Sequence, residues 1–140
     1  MDSRYSKEKI VSHNQSEIKS TAVGFANDIL LQATDSDVVG IDEAQFFDEE
    51  IVRVVNLLAN SGKRVILAGL DMDYRAIPFK PMDQLLSIAE YVTKVNAICM
   101  NCGEVASYTH RRTKSTKTVV LGEKDIYEAL CRQCFNEKNP

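Results

Sequence analysis

Residues 38–68 read VVGIDEAQFFDEEIVRVVNLLANSGKRVILA, and this stretch decides the fold class. It opens with a β-branched run, Val38–Ile41, which predicts a buried strand ending in acidic residues. From Asp48, a candidate N-cap, the apolar spacing predicts a helix that ends at Gly62. The apolar face of this helix consists of Ile51, Val54, Val55 and Leu58. A second buried strand, Val65–Ala68, completes a strand, helix, strand unit, which predicts a right-handed parallel crossover.

The flanking sequence extends the α/β pattern on both sides. Apolar residues at helical spacing predict helices over Ala22–Ala33 and Met82–Ala89. An acidic and aromatic loop, Leu70–Phe79, precedes the second of these helices, and a third strand is predicted over Tyr91–Ile98. Residues 1–98 are therefore expected to form an α/β core built on a parallel sheet.

The sequence changes character after residue 98. Residues 99–140 contain two CxxC pairs, separated by runs of Thr and Val, with a helical repeat only at Asp125–Leu130. This texture predicts a small, β-rich second domain at the carboxyl end.

The cysteines carry the strongest chemical signal. They form two pairs of identical spacing, Cys99 with Cys102 and Cys131 with Cys134. Two sulfurs three residues apart can reach one tetrahedral ion at Zn–S distances of roughly 2.3 Å, and two such pairs fill all four positions. With no position left for water, the predicted zinc is structural. The alternatives are two disulfides or idle core thiols, which a reducing compartment disfavours. His110 could replace one ligand, but a lone histidine in a basic segment is more often solvated, and four cysteines already suffice.

Composition excludes several classes of function. Lys and Arg total 17 against 20 Asp and Glu, a net charge of −3, which gives no general affinity for nucleic acid or an anionic membrane. No apolar stretch is long enough to span a membrane, and the polar beginning of the chain is not an export signal. Cysteines without an export signal predict a cytoplasmic protein.

Two acids at the end of the first strand are the second chemical signal. In phosphoryl-transfer folds, an acid such as Asp42 helps to hold Mg²⁺, and the next carboxylate, here Glu43, orients or deprotonates the attacking oxygen. The alternative is a buried strand that ends in a solvated acidic turn. None of the six glycines begins the phosphate-binding pattern GxxxxGK[ST] that usually accompanies such acids.

Four segments follow one another along nearly the whole chain: IDEAQFF at 41–47, AGLDMDYRAIPF at 68–79, AICMNCGEVASYTHR at 97–111 and VVLGEKDIYEALCRQC at 119–134. Together, and in this order, they resemble the thymidine kinases of the cellular, zinc-containing type. The opening DSRY at 2–5 resembles the family's segment just downstream of its phosphate-binding loop. The resemblance implies a kinase chain that lacks this loop with its strand and helix, so the chain alone is expected to be a poor enzyme.

The resemblance also implies a role for individual residues. Glu43 is the general base that takes the proton of the nucleoside 5′-hydroxyl, and Asp42 lies beside the Mg²⁺ that accompanies ATP. Asp2 and Arg4 match family residues near the phosphates or the metal.

A nucleoside site is implied in the same way. Its matching positions are Phe46, Leu70, Tyr74, Phe79, Thr109, Val120, Gly122 and Tyr127. Apolar and aromatic side chains suit a flat pyrimidine, although Leu70 and Phe79 alone would be read as ordinary core residues. The polar segment from Arg112 to Glu123 matches the family's lid over the base, and its lysines alone would be read as a solvated hairpin.

The sequence thus predicts an α/β protein with a parallel sheet of the phosphate-loop nucleotide-kinase kind and a small carboxyl-terminal zinc ribbon. The implied reaction is γ-phosphoryl transfer from ATP to thymidine, and the family implies a homotetramer. Two rival interpretations remain. One is a zinc-ribbon module that binds nucleic acid or protein, and the other is a fragment of a phosphate-loop ATPase.

Overall fold

The computed structural model describes residues 9–11, 17–112 and 126–139. The strands in chain order are β1 (Lys9–Val11), β2 (Glu17–Lys19), β3 (Val38–Ile41), β4 (Arg64–Leu67), β5 (Ala97–Ile98), β6 (Val105–Ala106), β7 (Tyr108–Arg111) and β8 (Tyr127–Leu130). The α-helices are α1 (Asp28–Gln32), α2 (Glu50–Asn60), α3 (Lys80–Ile88) and α4 (Arg132–Lys138), and a 3₁₀ turn covers Ala44–Phe46. No helix among these residues is long and apolar enough to cross a membrane.

The predicted strand, helix, strand unit is confirmed. Strands β3 and β4 pair in parallel, with Val38 opposite Arg64 and Ile41 opposite Leu67. Helix α2 connects them and buries the predicted apolar face, Ile51, Val54, Val55 and Leu58. The N-cap is Glu49 and not the predicted Asp48, although the Asp48 carboxylate accepts the main-chain N–H of Glu50 at 3.2 Å. Just beyond the end of the helix, Gly62 takes a φ of +86°, which favours glycine.

The two strands are buried on one face only, which corrects the prediction of fully buried strands. Val39, Val65 and Leu67 pack against the core with Ile41, whereas Val38 is 57% and Ile66 54% exposed. Within the described residues β3 pairs only with β4, and no layer covers the opposite face. The alternation of buried and exposed side chains follows from the period of two along each strand.

The predicted third strand is wrong over residues 91–96. These residues form no strand, and Tyr91 and Val95 are 82% and 91% exposed. Their β-branched composition favours a strand, but they line a cleft of about 800 Å³ together with β4 instead of pairing with it. Only Ala97 and Ile98 are in a strand, and that strand, β5, pairs antiparallel with β6.

Two helix predictions also need correction. Helix α1 begins at Asp28 rather than at Ala22, and the Asp28 carboxylate accepts the N–H of Phe25 at 3.2 Å in the preceding turn. The helical repeat predicted at Asp125–Leu130 contains strand β8, which pairs antiparallel with β7 along four residues. A short apolar repeat fits either structure, and cross-strand pairing decides for the strand here. The β1–β2 hairpin and α4 were not predicted.

The carboxyl-terminal unit has its own small core. Its buried residues are Cys99, Ala106, Leu130, Cys134 and Phe135. Tyr108 on β7 stacks on Phe135 of α4, with ring centroids 4.9 Å apart. Helix α4 is thereby fixed against the β7–β8 pair, and two of the four cysteines, Cys99 and Cys134, are buried in the same core. The α/β class is confirmed, and the boundary between residues 98 and 99 stays a prediction.

Candidate active site and metal centre

The end of β3 places the two predicted acids in a constrained turn. Glu43 has φ +53° and ψ +39°, a left-handed conformation that costs a non-glycine residue roughly 1–2 kcal/mol. The Asp42 carboxylate accepts the Glu43 N–H at 2.9 Å, and the Glu43 carbonyl accepts the N–H of Phe46 at 3.0 Å. Both acidic side chains are exposed. Strained backbone of this kind concentrates at functional sites, which makes the turn a candidate for catalysis.

A residue that the sequence did not single out holds this turn. Gln45 is 4% exposed, and its amide contacts Glu43 at 2.6 Å and the main chain of Leu70 at 3.0 Å. The only sequence signal was one amide side chain between an alanine and two phenylalanines.

The predicted nucleoside residues of the α/β unit lie on the loops that follow β3 and β4. Phe46 and Phe79 meet edge to face with ring centroids 6.5 Å apart, and Phe46 is 56% exposed. Leu70 is also largely exposed, with its N–H bonded to Gln45. The structure therefore places three of the predicted apolar contacts around the same strand ends as Glu43.

The remaining described contacts lie where the β4–α3 loop meets the carboxyl-terminal unit. The Arg111 guanidinium lies 3.6 Å from the ring centroid of Tyr74 and donates to the Tyr127 hydroxyl at 2.9 Å. Arg111 is 5% exposed, and the sequence did not single it out. Thr109 lies on the same strand, opposite Ala129. One buried cation thus links two predicted nucleoside residues from separate units.

Four predicted site residues lie outside the described residues: Asp2, Arg4, Val120 and Gly122. The predicted lid does so as well, apart from its first residue, Arg112. The Arg112 N–H donates to the Ile126 carbonyl at 2.8 Å. Its guanidinium pairs with the buried Glu128 at 2.9 Å, which anchors this end of the lid segment to β8.

The loop that carries Leu70, Tyr74 and Phe79 is organised by Asp73. Its carboxylate is buried and accepts the main-chain N–H groups of Arg75 and Ile77 at 2.8 and 3.0 Å. The Arg75 guanidinium makes two further bonds to it at 2.9 and 2.7 Å. Burial raises the pKa of Asp73, but these four hydrogen bonds outweigh burial and hold the pKa below its ordinary value.

Replacing Asp73 by Asn is expected to destabilise the protein at pH 7 by roughly 1–3 kcal/mol, because bonds to a charged group are lost. Since the folded pKa is depressed, the carboxylate stabilises the fold fully only well above 3.8, its ordinary value. The advantage is lost as the pH falls through the lower folded pKa. Urea unfolding of wild type and Asp73→Asn from pH 7 to pH 2 measures this, with the exposed Asp35→Asn as control. A constant difference across the range would contradict the assignment.

The four cysteine sulfurs form one compact group. All lie within 4.8 Å of one another, and the Sγ atoms of Cys102 and Cys131 are 3.6 Å apart. Tetrahedral Zn–S bonds of about 2.3 Å place sulfurs about 3.8 Å apart, so the group has the dimensions of a zinc site. All four thiols are free, which argues against the two disulfides. His110 lies outside the group, with its Nδ1 3.1 Å from the Asn139 amide.

Local backbone geometry prepares these sulfurs for a cation. Gly103 has a φ of +80°, which closes the first knuckle, and the Cys131 sulfur accepts the N–H of Cys134 at 3.5 Å. Burial raises the pKa of Cys99, but main-chain N–H groups outweigh it and bring the pKa to about 6. For Cys102 a main-chain N–H lowers the pKa, but the neighbouring thiols and burial raise it to about 12. Thiolates this close together repel one another, and a bound divalent cation would offset that repulsion.

Comparison with known proteins gives matches along nearly the whole chain. A family model described as thymidine kinase matches residues 1–135. The thymidine kinase of Bacteroides fragilis is 53% identical over 135 residues, 96% of this chain and 68% of the relative. That of Rhodothermus sp. is 52% identical over 140 residues, 100% of this chain and 66% of the relative. That of Porphyromonas gingivalis is 50% identical over 137 residues, 98% of this chain and 67% of the relative. The chain thus spans about two thirds of the length of these relatives.

Proposed function

This chain belongs to the thymidine kinase family, and we propose that it supplies the catalytic base and the nucleoside site for γ-phosphoryl transfer from ATP to the 5′-hydroxyl of thymidine. The observation that carries the proposal is the meeting of Glu43, Phe46 and Leu70 at neighbouring strand ends. A base and an apolar, aromatic surface for a flat pyrimidine thereby lie side by side.

Glu43 is the residue that would accept the proton of the 5′-hydroxyl as its oxygen attacks phosphorus. The left-handed turn and the hydrogen bonds of Asp42 and Gln45 limit the orientations that the Glu43 side chain can take. Since the side chain is exposed, a substrate hydroxyl can reach it. Positioning of this kind is the larger part of catalysis by phosphoryl-transfer enzymes.

Asp42 would help to hold the Mg²⁺ that accompanies ATP, because its carboxylate is exposed and offers the oxygen ligands that Mg²⁺ prefers. When bound, Mg²⁺ neutralises charge on the phosphate oxygens. Asp2 and Arg4 are proposed to lie near the phosphates, from the family resemblance alone. The phosphate-loop kinase fold is proposed on the same basis, supported by the parallel β3–β4 pair with acids after β3.

The nucleoside is proposed to bind between the strand-end loops and the carboxyl-terminal unit. Phe46, Leu70 and Phe79 would contact the nucleoside from the strand-end loops. Tyr74 and Tyr127 would contact it from the place where the β4–α3 loop meets the carboxyl-terminal unit, and Arg111 contacts both tyrosines there. Thr109, Val120 and Gly122 complete the proposed set, and the segment 112–123 is proposed to close over the base.

Zinc in this proposal is structural. The sulfurs of Cys99, Cys102, Cys131 and Cys134 would hold it, and it would replace part of the core that so small a unit lacks. A cytoplasmic location and a homotetramer are proposed from composition and family.

The test of this function is to identify the molecule that receives the γ-phosphoryl group of ATP. A kinase transfers it to thymidine, whereas the rival ATPase transfers it to water, and a zinc-ribbon binding module consumes no ATP.

A further inference from the structure

The side chain of Gln45 bridges the ends of two strands. Its Nε2 donates to Glu43 Oε2 at 2.6 Å, and its Oε1 accepts the main-chain N–H of Leu70 at 3.0 Å. Glu43 follows β3 and Leu70 follows β4, 25 residues further along the chain than Gln45. One buried amide therefore touches both the proposed base and the proposed nucleoside surface.

A carboxamide satisfies both neighbours at this place, because it has a donor at one end and an acceptor at the other. The main-chain N–H of Leu70 can only donate, and the ionised Glu43 carboxylate can only accept. These partners fix which end of the Gln45 amide faces which strand. A carboxylate at position 45 would meet the Glu43 carboxylate, and a thioether or methyl group would leave the Leu70 N–H without this acceptor.

The neighbouring backbone makes room for this bridge. A Cβ added at Gly69 would lie 2.7 Å from Gln45 Oε1 and 3.2 Å from both the Ala44 nitrogen and the Met82 sulfur. Contacts of 2.7 Å force a displacement, so glycine at 69 lets the end of β4 approach the amide. In addition, the Ala44 N–H donates to the Ala68 carbonyl at 3.0 Å, which holds the two strand ends together just before the bridge.

We propose that Gln45 is a positioning residue that fixes the Glu43 carboxylate relative to the nucleoside surface at Leu70. It acts through the Glu43 carboxylate and not on the substrate itself. It removes rotational freedom from the base and makes the position of the base depend on the end of β4, so that base and nucleoside keep one relative geometry. The role of Gln45 in turnover rests on the proposed function, but the bridge itself does not.

The first experiment measures turnover of Gln45→Met and Gln45→Glu, in the chain preceded by a segment that carries GxxxxGK[ST]. At a temperature where every variant is fully folded, kcat is expected to fall roughly 10- to 100-fold, because a misplaced base costs rate in the transition state. The KM for ATP should stay within about twofold, since the residues proposed to hold ATP and its Mg²⁺ are not members of the bridge. The matched control is Gln32→Glu, an exposed glutamine at the end of α1, which should keep full turnover.

The second experiment needs no activity and uses the 140 residues alone. Gln45→Glu should raise the unfolding equilibrium constant roughly 10- to 100-fold. The double variant Glu43→Gln with Gln45→Glu should recover most of this loss, because the new amide at 43 donates to the new carboxylate at 45, which still accepts from Leu70.

The outcomes separate the two proposals. Additive effects in the stability cycle would show that the bridge does not exist in solution and would overturn the inference. A coupled cycle together with normal kcat in Gln45→Met and Gln45→Glu would also overturn it, because the bridge would then serve stability alone. If the stability cycle shows coupling but the wild-type protein transfers no phosphoryl group to thymidine, the bridge stands and the proposed function is rejected.

Discussion

Replacing Glu43 by Gln is expected to lower the turnover of thymidine phosphorylation by a factor of about 10² to 10⁴, the usual contribution of a general base. The KM for thymidine should change little, because the amide is isosteric and can still accept a hydrogen bond from the 5′-hydroxyl in the ground state. The neighbouring bridge should survive, since the new amide oxygen can accept from Gln45. Steady-state kinetics on the chain with a phosphate-binding segment measure both constants.

Glu49→Gln is the matched control for this experiment. Glu49 is an exposed glutamate at the N-cap of α2, makes no side-chain capping bond, and lies six residues from Glu43. Its replacement should leave turnover within about twofold, as for surface substitutions in general. If Glu43→Gln kept normal turnover and only raised the KM for thymidine, Glu43 would be a binding residue and the assignment of the base would be wrong.

Removing one of the proposed zinc ligands should have the second large effect. Cys134→Ser should reduce zinc from one ion per chain to less than a tenth of that, and the carboxyl-terminal unit should unfold. Binding of structural zinc is worth about 10–16 kcal/mol at neutral pH in small domains and is coupled directly to folding. Cys134 is buried beside Phe135, so loss of the metal should also disrupt the stacking of Tyr108 on that ring. Elemental analysis and near-ultraviolet circular dichroism measure the two consequences.

The control replaces a neighbour that offers no sulfur. Gln133→Ala lies in the same CxxC pair, its side chain is exposed and contacts Glu137, and zinc content should be unchanged. Purified wild-type protein without zinc, with its thiols oxidised in pairs, would contradict the metal site. So would a carboxyl-terminal unit that keeps its tyrosine signal in the presence of a strong chelator.

Local sequence patterns correctly predicted the elements whose structure depends mainly on residues close together in the chain. The β3, α2, β4 unit follows from periodicity and from a glycine stop at Gly62, and the compact group of four cysteine sulfurs follows from two identical spacings. The errors arose where distant contacts decide. Residues 91–96 have strand composition but pair with no strand, and Tyr127–Leu130 form a strand because β7 lies beside them.

The residues of the candidate site also divide into those with a local sequence signal and those that depend on distant contacts. Glu43 and Asp42 were predicted from an acidic pair after an apolar run, which is a local signal. Gln45 and Arg111 were missed because their importance depends on burial against residues far away in sequence, Leu70 and Tyr74 respectively. An amide in an aromatic turn and an arginine in a basic segment look ordinary until the fold brings those partners to them.

The most direct test of the central claim follows the γ-phosphoryl group of labelled ATP. The 140 residues preceded by a segment that carries GxxxxGK[ST] are incubated with labelled ATP, Mg²⁺ and thymidine, and the products are separated. We predict that the label appears in thymidine 5′-monophosphate, that it requires thymidine, and that Glu43→Gln reduces it at least 10²-fold. The same 140 residues without the added segment should give only background. Label released as inorganic phosphate at the same rate with and without thymidine would contradict the claim and identify an ATPase.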